Sequence, residues 1–292
     1  MAEQLVSAAK FNVDDIKYGA PKANASGSKN VPILNKSTRS ALKLTTPLMI
    51  QWGLSDFKKE GADEGDGKFT MGLQFPNAEY PNPEASEMLE KMLAIEEKIK
   101  SDALVYSKEW FGKQHKSEDV INSLWSPMVK YTKFPKGHPN EGEFDYSKAP
   151  TLRVKVETWD GVWKTEIFDQ DRNPLFPSDD YPGMTPLDFL TKGVQCACSI
   201  QCKGIWFANG KFGVTWKVLQ ARCGKPKVSE KGTCHVPLSS ADKERVNSNS
   251  SPNSLALPII PSNKVSEASN KLFAFFCNNN SIPSMYVSSN DP

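Results

Sequence analysis

The stretch IWFANGKFGVTW, residues 205–216, constrains the fold of this chain more than any other segment. Asn209 and Gly210 separate two alternating apolar runs, and both residue types tolerate the positive φ angles of a type I′ turn. A two-residue turn at this point places Trp206 opposite Gly213. The segment therefore predicts a β-hairpin whose two strands are neighbours in one sheet.

The predicted hairpin has two different surfaces, because successive side chains of a strand point to opposite faces of the sheet. One surface is apolar and is typical of a core face; it carries Ile205, Phe207, Phe212, Val214, Trp216 and Val218. The other surface carries Trp206, Lys211, Gly213, Thr215 and Lys217. An indole beside a glycine and two ammonium groups indicates a surface that contacts something outside the core.

The strand that precedes the hairpin, VQCACSIQCK, contains three cysteines of one parity, Cys196, Cys198 and Cys202. Such spacing raises the possibility of a metal site. The histidines of the chain lie elsewhere in the sequence, and a strand would hold all three thiols on its apolar side. We therefore expect buried, inert thiols and predict neither a metal nor a cofactor.

The net charge of +2 conceals a segregation of basic residues. Two stretches without any acidic residue, 17–55 and 192–227, hold 13 of the 36 lysines and arginines. The rest of the chain carries 23 basic against 34 acidic residues. This asymmetry indicates a polyanionic partner, although lysines that keep sheet edges soluble would give a similar pattern.

Composition divides the chain into three parts. Residues 1–30 are small and polar and predict a flexible N-terminal arm, and residues 31–227 predict the folded domain. Residues 228–292 are rich in serine and asparagine and predict a mostly disordered tail, in which KLFAFFC at 271–277 is the one sticky motif. The chain has neither an apolar run of membrane-spanning length nor a signal-peptide core near its start, so we expect no membrane segment.

The fold class predicted for the domain is mostly β with helical insertions (α+β). Asn82 followed by Pro83 predicts a helix start, and apolar residues at helical spacing continue from Met88 to Trp110. We place the helical insertion at residues 83–125. The alternating runs around it predict a small antiparallel barrel with one long helix and disordered termini.

No catalytic motif is visible, since the phosphate-binding loop, the nucleophile elbow and the dinucleotide fingerprint are all absent from the sequence. We therefore predict that the chain is not an enzyme. Small five-stranded barrels often bind single-stranded nucleic acid through stacking aromatics and cations that follow the backbone. The predicted nucleic-acid-binding residues are Trp206, Lys203, Lys211, Lys217, Arg39, Lys43, Arg222, Arg153 and Trp159. The structural alternative is that the long helix packs over this face and buries the Trp206 indole.

Five blocks of the sequence together resemble a protein family of algal viruses among the nucleocytoplasmic large DNA viruses. The blocks are LKLTTPLMIQWGLSDF, WSPMVKYTK, APTLRVKVETWDGVWKTEIFD, TPLDFL and IQCKGIWFANGKFGVTWK. That family is in turn similar to the OB-fold single-stranded DNA-binding protein of African swine fever virus. The resemblance implies an OB-fold-like barrel that binds single-stranded DNA without strong sequence preference. It further implies a role in viral DNA replication, recombination or repair, in the host nucleus, a cytoplasmic viral factory or the virion, with viral replication proteins as partners.

Two other functional classes stay open at this stage. A virion structural or interaction protein would use Trp206 and Trp159 as protein contacts, whereas an RNA-binding factor would use the same aromatics and cations for RNA. Self-association is compatible with each class. The tail is balanced in charge, which departs from the acidic tail by which several viral single-strand binders recruit a polymerase.

Overall fold

The computed structural model describes residues 5–23, 28–56, 65–225 and 237–248. The chain divides into two units, residues 1–228 and 229–292. The first unit is mostly β with helical insertions, as predicted. Its strands are β1 (Val6–Ser7), β2 (Ile16–Tyr18), β3 (Lys22–Ala23), β4 (Lys29–Val31), β5 (Ile33–Asn35), β6 (Lys43–Thr45), β7 (Met49–Asp56), β8 (Phe69–Gln74), β9 (Trp125–Ser126), β10 (Val129–Lys130), β11 (Thr151–Val156), β12 (Thr158–Trp159), β13 (Val162–Trp163), β14 (Glu166–Phe168), β15 (Pro174–Phe176), β16 (Gln195–Ala208) and β17 (Lys211–Cys223).

The helices of the first unit are α1 (Pro83–Val105), α2 (Ser107–Phe111), α3 (Glu118–Leu124) and α4 (Pro186–Phe189), with 3₁₀ turns at Ala8–Lys10 and Val13–Asp15. The second unit is described at residues 237–248, where α5 (Ser240–Ser248) has exposed side chains as far as Val246. The KLFAFFC motif lies outside the described residues.

The predicted hairpin is confirmed by the pairing of β16 with β17. Asn209 and Gly210 have φ angles of 49° and 71°, the positive values that a type I′ turn requires. Trp206 stands opposite Gly213, as the two-residue turn predicts. The apolar surface of the hairpin is the core face, where Ile205, Phe212 and Trp216 are buried.

Five strands pair in a closed circuit. β16 pairs with β7, β7 with β8, β8 with β11, β11 with β17, and β17 with β16, so each of the five has a partner on both sides. Two of these contacts are short, since β7–β16 and β11–β17 are each joined at two residue pairs. The prediction of an antiparallel core is wrong within the circuit at β11 and β17, which run parallel. Outside the circuit, β1–β6, β14–β17 and β9–β17 are parallel as well. Parallel neighbours need a crossover rather than a tight turn. The chain that joins β11 to β17 includes β12 to β16 and is long enough for one.

One extra residue in β16 sets which of its side chains face outward. Cys202 is opposite Trp216 and Ile205 is opposite Val214, so two residues of β16 occupy the interval that one residue of β17 fills. This β-bulge shifts the alternation by one position. Cys202 and Ile205 consequently both face the core although their numbers differ in parity. The same shift turns Lys203 and Trp206 to the outer face, where Lys203 is exposed and Trp206 is half-buried.

Helix α1 begins as predicted but ends earlier. The Asn82 side chain accepts a hydrogen bond from the Ala85 N–H at 3.2 Å, and Pro83 occupies the first turn. The apolar stripe of the helix is buried at Met88, Met92, Ile95 and Ile99. The predicted continuation to Trp110 is wrong, because Tyr106 leaves helical geometry at ψ 14° and α2 starts as a separate helix.

The predicted flexible N-terminal arm is wrong for residues 5–23. β1 pairs with β6, and Phe11 is only 1% exposed. The small residue Ala8 is fully buried where the 3₁₀ turn packs against α1. Composition suggested a loose arm because most of these residues are small or polar, but one aromatic anchor and short strand pairings tie the segment to the domain.

The strand cysteines are buried free thiols, as predicted. Burial raises the pKa of Cys202 to about 12 and that of Cys223 to about 11, which disfavours the reactive thiolate. Within the described residues, no three or more His, Cys, Asp or Glu side chains are placed to hold a metal ion. In the same part of the chain, no helix combines the length and the apolar character that crossing a bilayer requires.

Gly204 is the residue on which the bulge depends, and its replacement gives a test. Its φ is +95°, and a Cβ there would lie 2.5 Å from the Val31 carbonyl oxygen. We expect Gly204→Ala to lower the free energy of unfolding by about 3 to 5 kcal/mol, since backbone strain and a backbone clash add. Gly137 is the matched control, because it has φ +87° and open space around it. Gly137→Ala should cost only about 1 to 2 kcal/mol in urea titrations followed by tryptophan fluorescence, and equal losses would contradict this role for Gly204.

Candidate nucleic-acid interface

A cleft of about 780 Å³ opens on the outer face of the strand circuit, between β8 and β11 on one side and the β16–β17 hairpin on the other. The segment from Ser126 to Lys130 forms one of its walls. Five cations line the cleft: Lys29, Lys130, Arg153, Lys155 and Lys203. Among the described residues that line it, none is an aspartate or a glutamate. The cleft is therefore a concentrated positive surface in a chain of nearly neutral charge.

Trp206 stands in this cleft with its indole against Gly213. A Cβ on Gly213 would lie 2.8 Å from the indole Cζ2 and 2.9 Å from the Ser126 carbonyl oxygen. Only a glycine leaves room for the ring at this point. The glycine backbone thus supports one side of the indole. No residue of α1 is among those that line the cleft, so the alternative in which the long helix covers this face is wrong.

Burial and, to a smaller extent, neighbouring positive charges lower the pKa of two lysines in the cleft. Burial lowers the pKa of Lys155, and the nearby positive charge of Lys203 lowers it further. Burial also lowers the pKa of Lys130; Glu96 opposes that shift, and Arg153 adds to it. Positive charges that crowd in this way are stabilised by an anion placed among them. The electrostatics of the cleft therefore favour a bound polyanion.

Glu157 is a counter-charge at the rim of the cleft. Its carboxylate accepts hydrogen bonds from the ammonium groups of Lys203 and Lys217, the latter at 3.1 Å. Burial raises the pKa of Glu157, but the two lysine contacts outweigh burial and hold the pKa below its usual value. Both lysines were predicted to lie near phosphates; each is paired with Glu157, and only Lys203 of the two lines the cleft.

The wall of the cleft is held by a buried carboxylate on α1. Glu96 accepts hydrogen bonds from the backbone N–H groups of Met128 and Val129 at 2.6 and 3.0 Å, and from the Trp125 indole at 3.2 Å. Burial raises the pKa of Glu96, and these three donors oppose the rise. Glu96 was not among the residues predicted from the sequence. A signal was present, because Glu96 follows Met92 by four residues and so falls on the buried stripe of α1.

The structure brings three of the predicted site residues together in the cleft: Trp206, Lys203 and Arg153. Lys211 is at the hairpin tip, where it donates a hydrogen bond to the Ser123 carbonyl. Arg222 donates to the Gln170 carbonyl and lines a different cavity. Four more predicted residues also stand outside the cleft: Lys217, Arg39 in an exposed turn, Lys43 on β6, and Trp159 on the β12–β13 hairpin.

Three cations of the cleft were not among the predicted site residues: Lys29, Lys130 and Lys155. Lys155 reaches the cleft because β11 pairs with β8 and β17, a register that no local pattern specifies. Lys29 lies in the first acid-free stretch, which was the available signal. Its ammonium group donates to the Glu109 carbonyl and lies 5.9 Å from the centre of the Phe207 ring.

No protein-family model matches the chain, and no curated protein matches it. Among solved structures, it is similar to the single-stranded DNA-binding protein from bacteriophage Enc34 in complex with ssDNA, at 13% identity and a TM-score of 0.35 over 71% of this chain and 97% of that one. It is also similar to gp2.5, a single-stranded DNA-binding protein encoded by bacteriophage T7, at 11% identity and a TM-score of 0.36 over 67% of this chain and 98% of that one. These structural neighbours are single-stranded DNA-binding proteins of bacteriophages.

Glu96→Gln tests the support of the cleft wall. The glutamine oxygen can still accept the two backbone N–H groups, but its amide N–H₂ then faces the Trp125 N–H, and the indole loses its acceptor. We expect the free energy of unfolding to fall by about 1 to 3 kcal/mol in a urea titration, because a buried donor is left unsatisfied. Glu97→Gln is the control, since the Glu97 side chain is 72% exposed and should change stability little. An unchanged stability for Glu96→Gln would contradict this role.

Proposed function

We propose that this chain binds single-stranded DNA in the cleft, without strong sequence preference. The observation that carries the proposal is the set of five cations around the Trp206 indole, with no acidic residue among the described lining residues. An indole stacks on any base, and cations contact the phosphates that all bases share. A cleft of this chemistry binds a strand through its phosphates and the faces of its bases rather than through the base edges that differ between bases.

The pairing of the strands supports an OB-fold-like barrel as the architecture behind this function. In that fold, five strands close into a barrel, and oligonucleotides bind on the second and third strands between two loops. In this chain β8 and β11 are the second and third strands of the circuit and contribute Thr70, Arg153 and Lys155 to the cleft. The Asn209–Gly210 turn joins the fourth and fifth strands beside it.

The biological setting follows from the resemblance to proteins of large DNA viruses. We propose a non-enzymatic role in viral DNA replication, recombination or repair, in the host nucleus or a viral factory, with replication proteins as further partners. A virion interaction protein would need no cluster of cations around an indole, so this second class has less support. RNA remains a competing ligand, because stacking and phosphate contacts do not depend on the sugar.

Cleft arginine and lysine variants test the proposal directly. Arg153→Ala and Lys155→Ala should each weaken poly-dT binding by about 1.5 to 3 kcal/mol, since each removes a charge-assisted contact. Each should also reduce the slope of log affinity against log salt by about one unit. Lys136→Ala is the control, because Lys136 is exposed and does not line the cleft.

The measurement is quenching of tryptophan fluorescence by poly-dT at several salt concentrations, followed by competition with a matched RNA. Binding that is insensitive to salt, or equal effects of Lys136→Ala and the cleft variants, would exclude the cleft as the DNA site. Equal competition by RNA and DNA would extend the ligand to single-stranded nucleic acid in general.

Glu157→Gln should strengthen poly-dT binding, whereas the cleft arginine and lysine variants should weaken it. Glutamine keeps a hydrogen-bond acceptor for Lys203 but removes the negative charge, so we expect DNA binding to tighten by about 0.2 to 1 kcal/mol. Because its pKa is below the usual value, Glu157 is ionised throughout the range of about pH 6 to 8. The increase in DNA affinity should therefore be constant across that pH range when it is measured by the poly-dT fluorescence titration. Weaker binding by Glu157→Gln would show that the carboxylate does not oppose the DNA.

A further inference from the structure

A second aromatic surface lies on the outer face of the same strands. A groove of about 850 Å³ runs beside β7 and β8 and includes Trp52, Tyr80 and Gln74 among its lining residues. Trp52 is 51% exposed and Tyr80 is 71% exposed. Leu48 and Ile50 are exposed on the same strand or next to it. An open apolar surface of this kind, rimmed by polar side chains, marks a binding site more often than chance exposure does.

The Trp52 indole is exposed but fixed in position. Its Nε1 donates a hydrogen bond to Gln74 Oε1 at 2.7 Å. Trp52 and Gly53 together occupy the interval opposite Gly72, in a bulge between the Gln51–Leu73 and Leu54–Met71 pairs. Bulges often redirect a side chain next to a functional site. The ring is therefore held on the sheet surface before any ligand arrives, which lowers the entropic cost of binding against it.

The register of the sheet connects Trp52 to the cationic cleft. Gly72 lies between them: it faces the Trp52 bulge on one side and is directly opposite Arg153 on the other. Arg153 lines the cleft. Strands are spaced about 4.8 Å apart, so the backbones of β7 and β11 are about 10 Å apart. Because Gly72 has no side chain, the outer face has a low point between the indole and the guanidinium group.

We propose that Trp52 is a second base-stacking platform for the same DNA strand, which leaves the cleft past Arg153 and crosses β8 at Gly72. This inference rests on the proposed function of the cleft. The ligand class is a single strand long enough to reach both indoles.

Local charge favours DNA over a protein partner at this groove. The Lys192 ammonium lies 5.4 Å from the centre of the Trp52 ring, and Lys148 lines the groove. Glu79 is an acidic lining residue, at the Tyr80 side of the groove. Lys148 is ion-paired with Asp145 at 3.2 Å, whereas Lys192 stands beside the indole. A base on Trp52 would have a phosphate-binding ammonium beside it, as single-strand binding grooves do.

A ladder of oligo-dT lengths from about 4 to about 16 nucleotides, the span of reported site sizes, tests this path. Trp52→Ala should weaken binding of the longest oligonucleotides by about 5- to 150-fold, the equivalent of one stacked base. It should have little effect on the shortest ones, which occupy the cleft alone. Arg153→Ala should weaken binding at every length.

Two further variants control this experiment. Trp52→Phe keeps an aromatic face and should restore most of the affinity for long oligonucleotides. Phe144→Ala removes an aromatic side chain of similar exposure, 43%, that lines neither cavity, and it should leave affinity unchanged. Unfolding curves establish that each variant folds.

The outcomes separate the two proposals. If Arg153→Ala weakens binding while Trp52→Ala matches the unmodified protein at every length, the cleft binds DNA and the Trp52 platform is wrong; the groove would then be a protein contact. If neither variant affects binding, the proposed function of the cleft fails as well.

Discussion

The bulge at Lys203 and Gly204 is the constraint on which the outer surface of this domain depends. Without it, Lys203 and Ile205 would point to the same face, so a strand that buried Ile205 would also bury Lys203. A buried unpaired ammonium group is far more costly than an extra residue in a strand. With the bulge, Cys202 before it and Ile205 after it both reach the core. The displaced register places a lysine and an indole side by side on the outside. Core formation and the composition of the cleft are thus two results of the same local geometry.

Local patterns gave the parts of the structure that depend on neighbours in sequence. The Asn209–Gly210 turn, the Trp206–Gly213 pair and the cap at Asn82 follow from residue types at short spacing, and each is confirmed. The parallel pairing of β11 with β17 depends on contacts between distant segments, so alternation along one strand could not indicate it. The same limit explains the N-terminal segment, where Phe11 reaches a core built by later residues.

The candidate site shows a similar division. Trp206 could be selected because it is the one large aromatic on the lysine side of the hairpin. Lys155 could not, because the other residues of the cleft come from distant segments of the chain. Lys217 was selected on strand parity alone, and its ion pair with Glu157 is evident only in the folded structure. The register of neighbouring strands decides which side chains meet in a site formed across strands. That register depends on packing of the whole core rather than on any one segment of the sequence.

The pairing of Lys203 with Glu157 has a consequence for the thermodynamics of ligand binding. A free lysine side chain samples many rotamers, and fixing it costs up to about 2 kcal/mol in conformational entropy. Lys203 is already held by the carboxylate in the unliganded protein, so much of that ordering is complete before a phosphate arrives. Glu157 therefore weakens the field of the cleft and at the same time reduces the disorder that binding must remove. Binding at Lys203 should accordingly carry a smaller entropic penalty than binding at an unrestrained lysine with the same net charge.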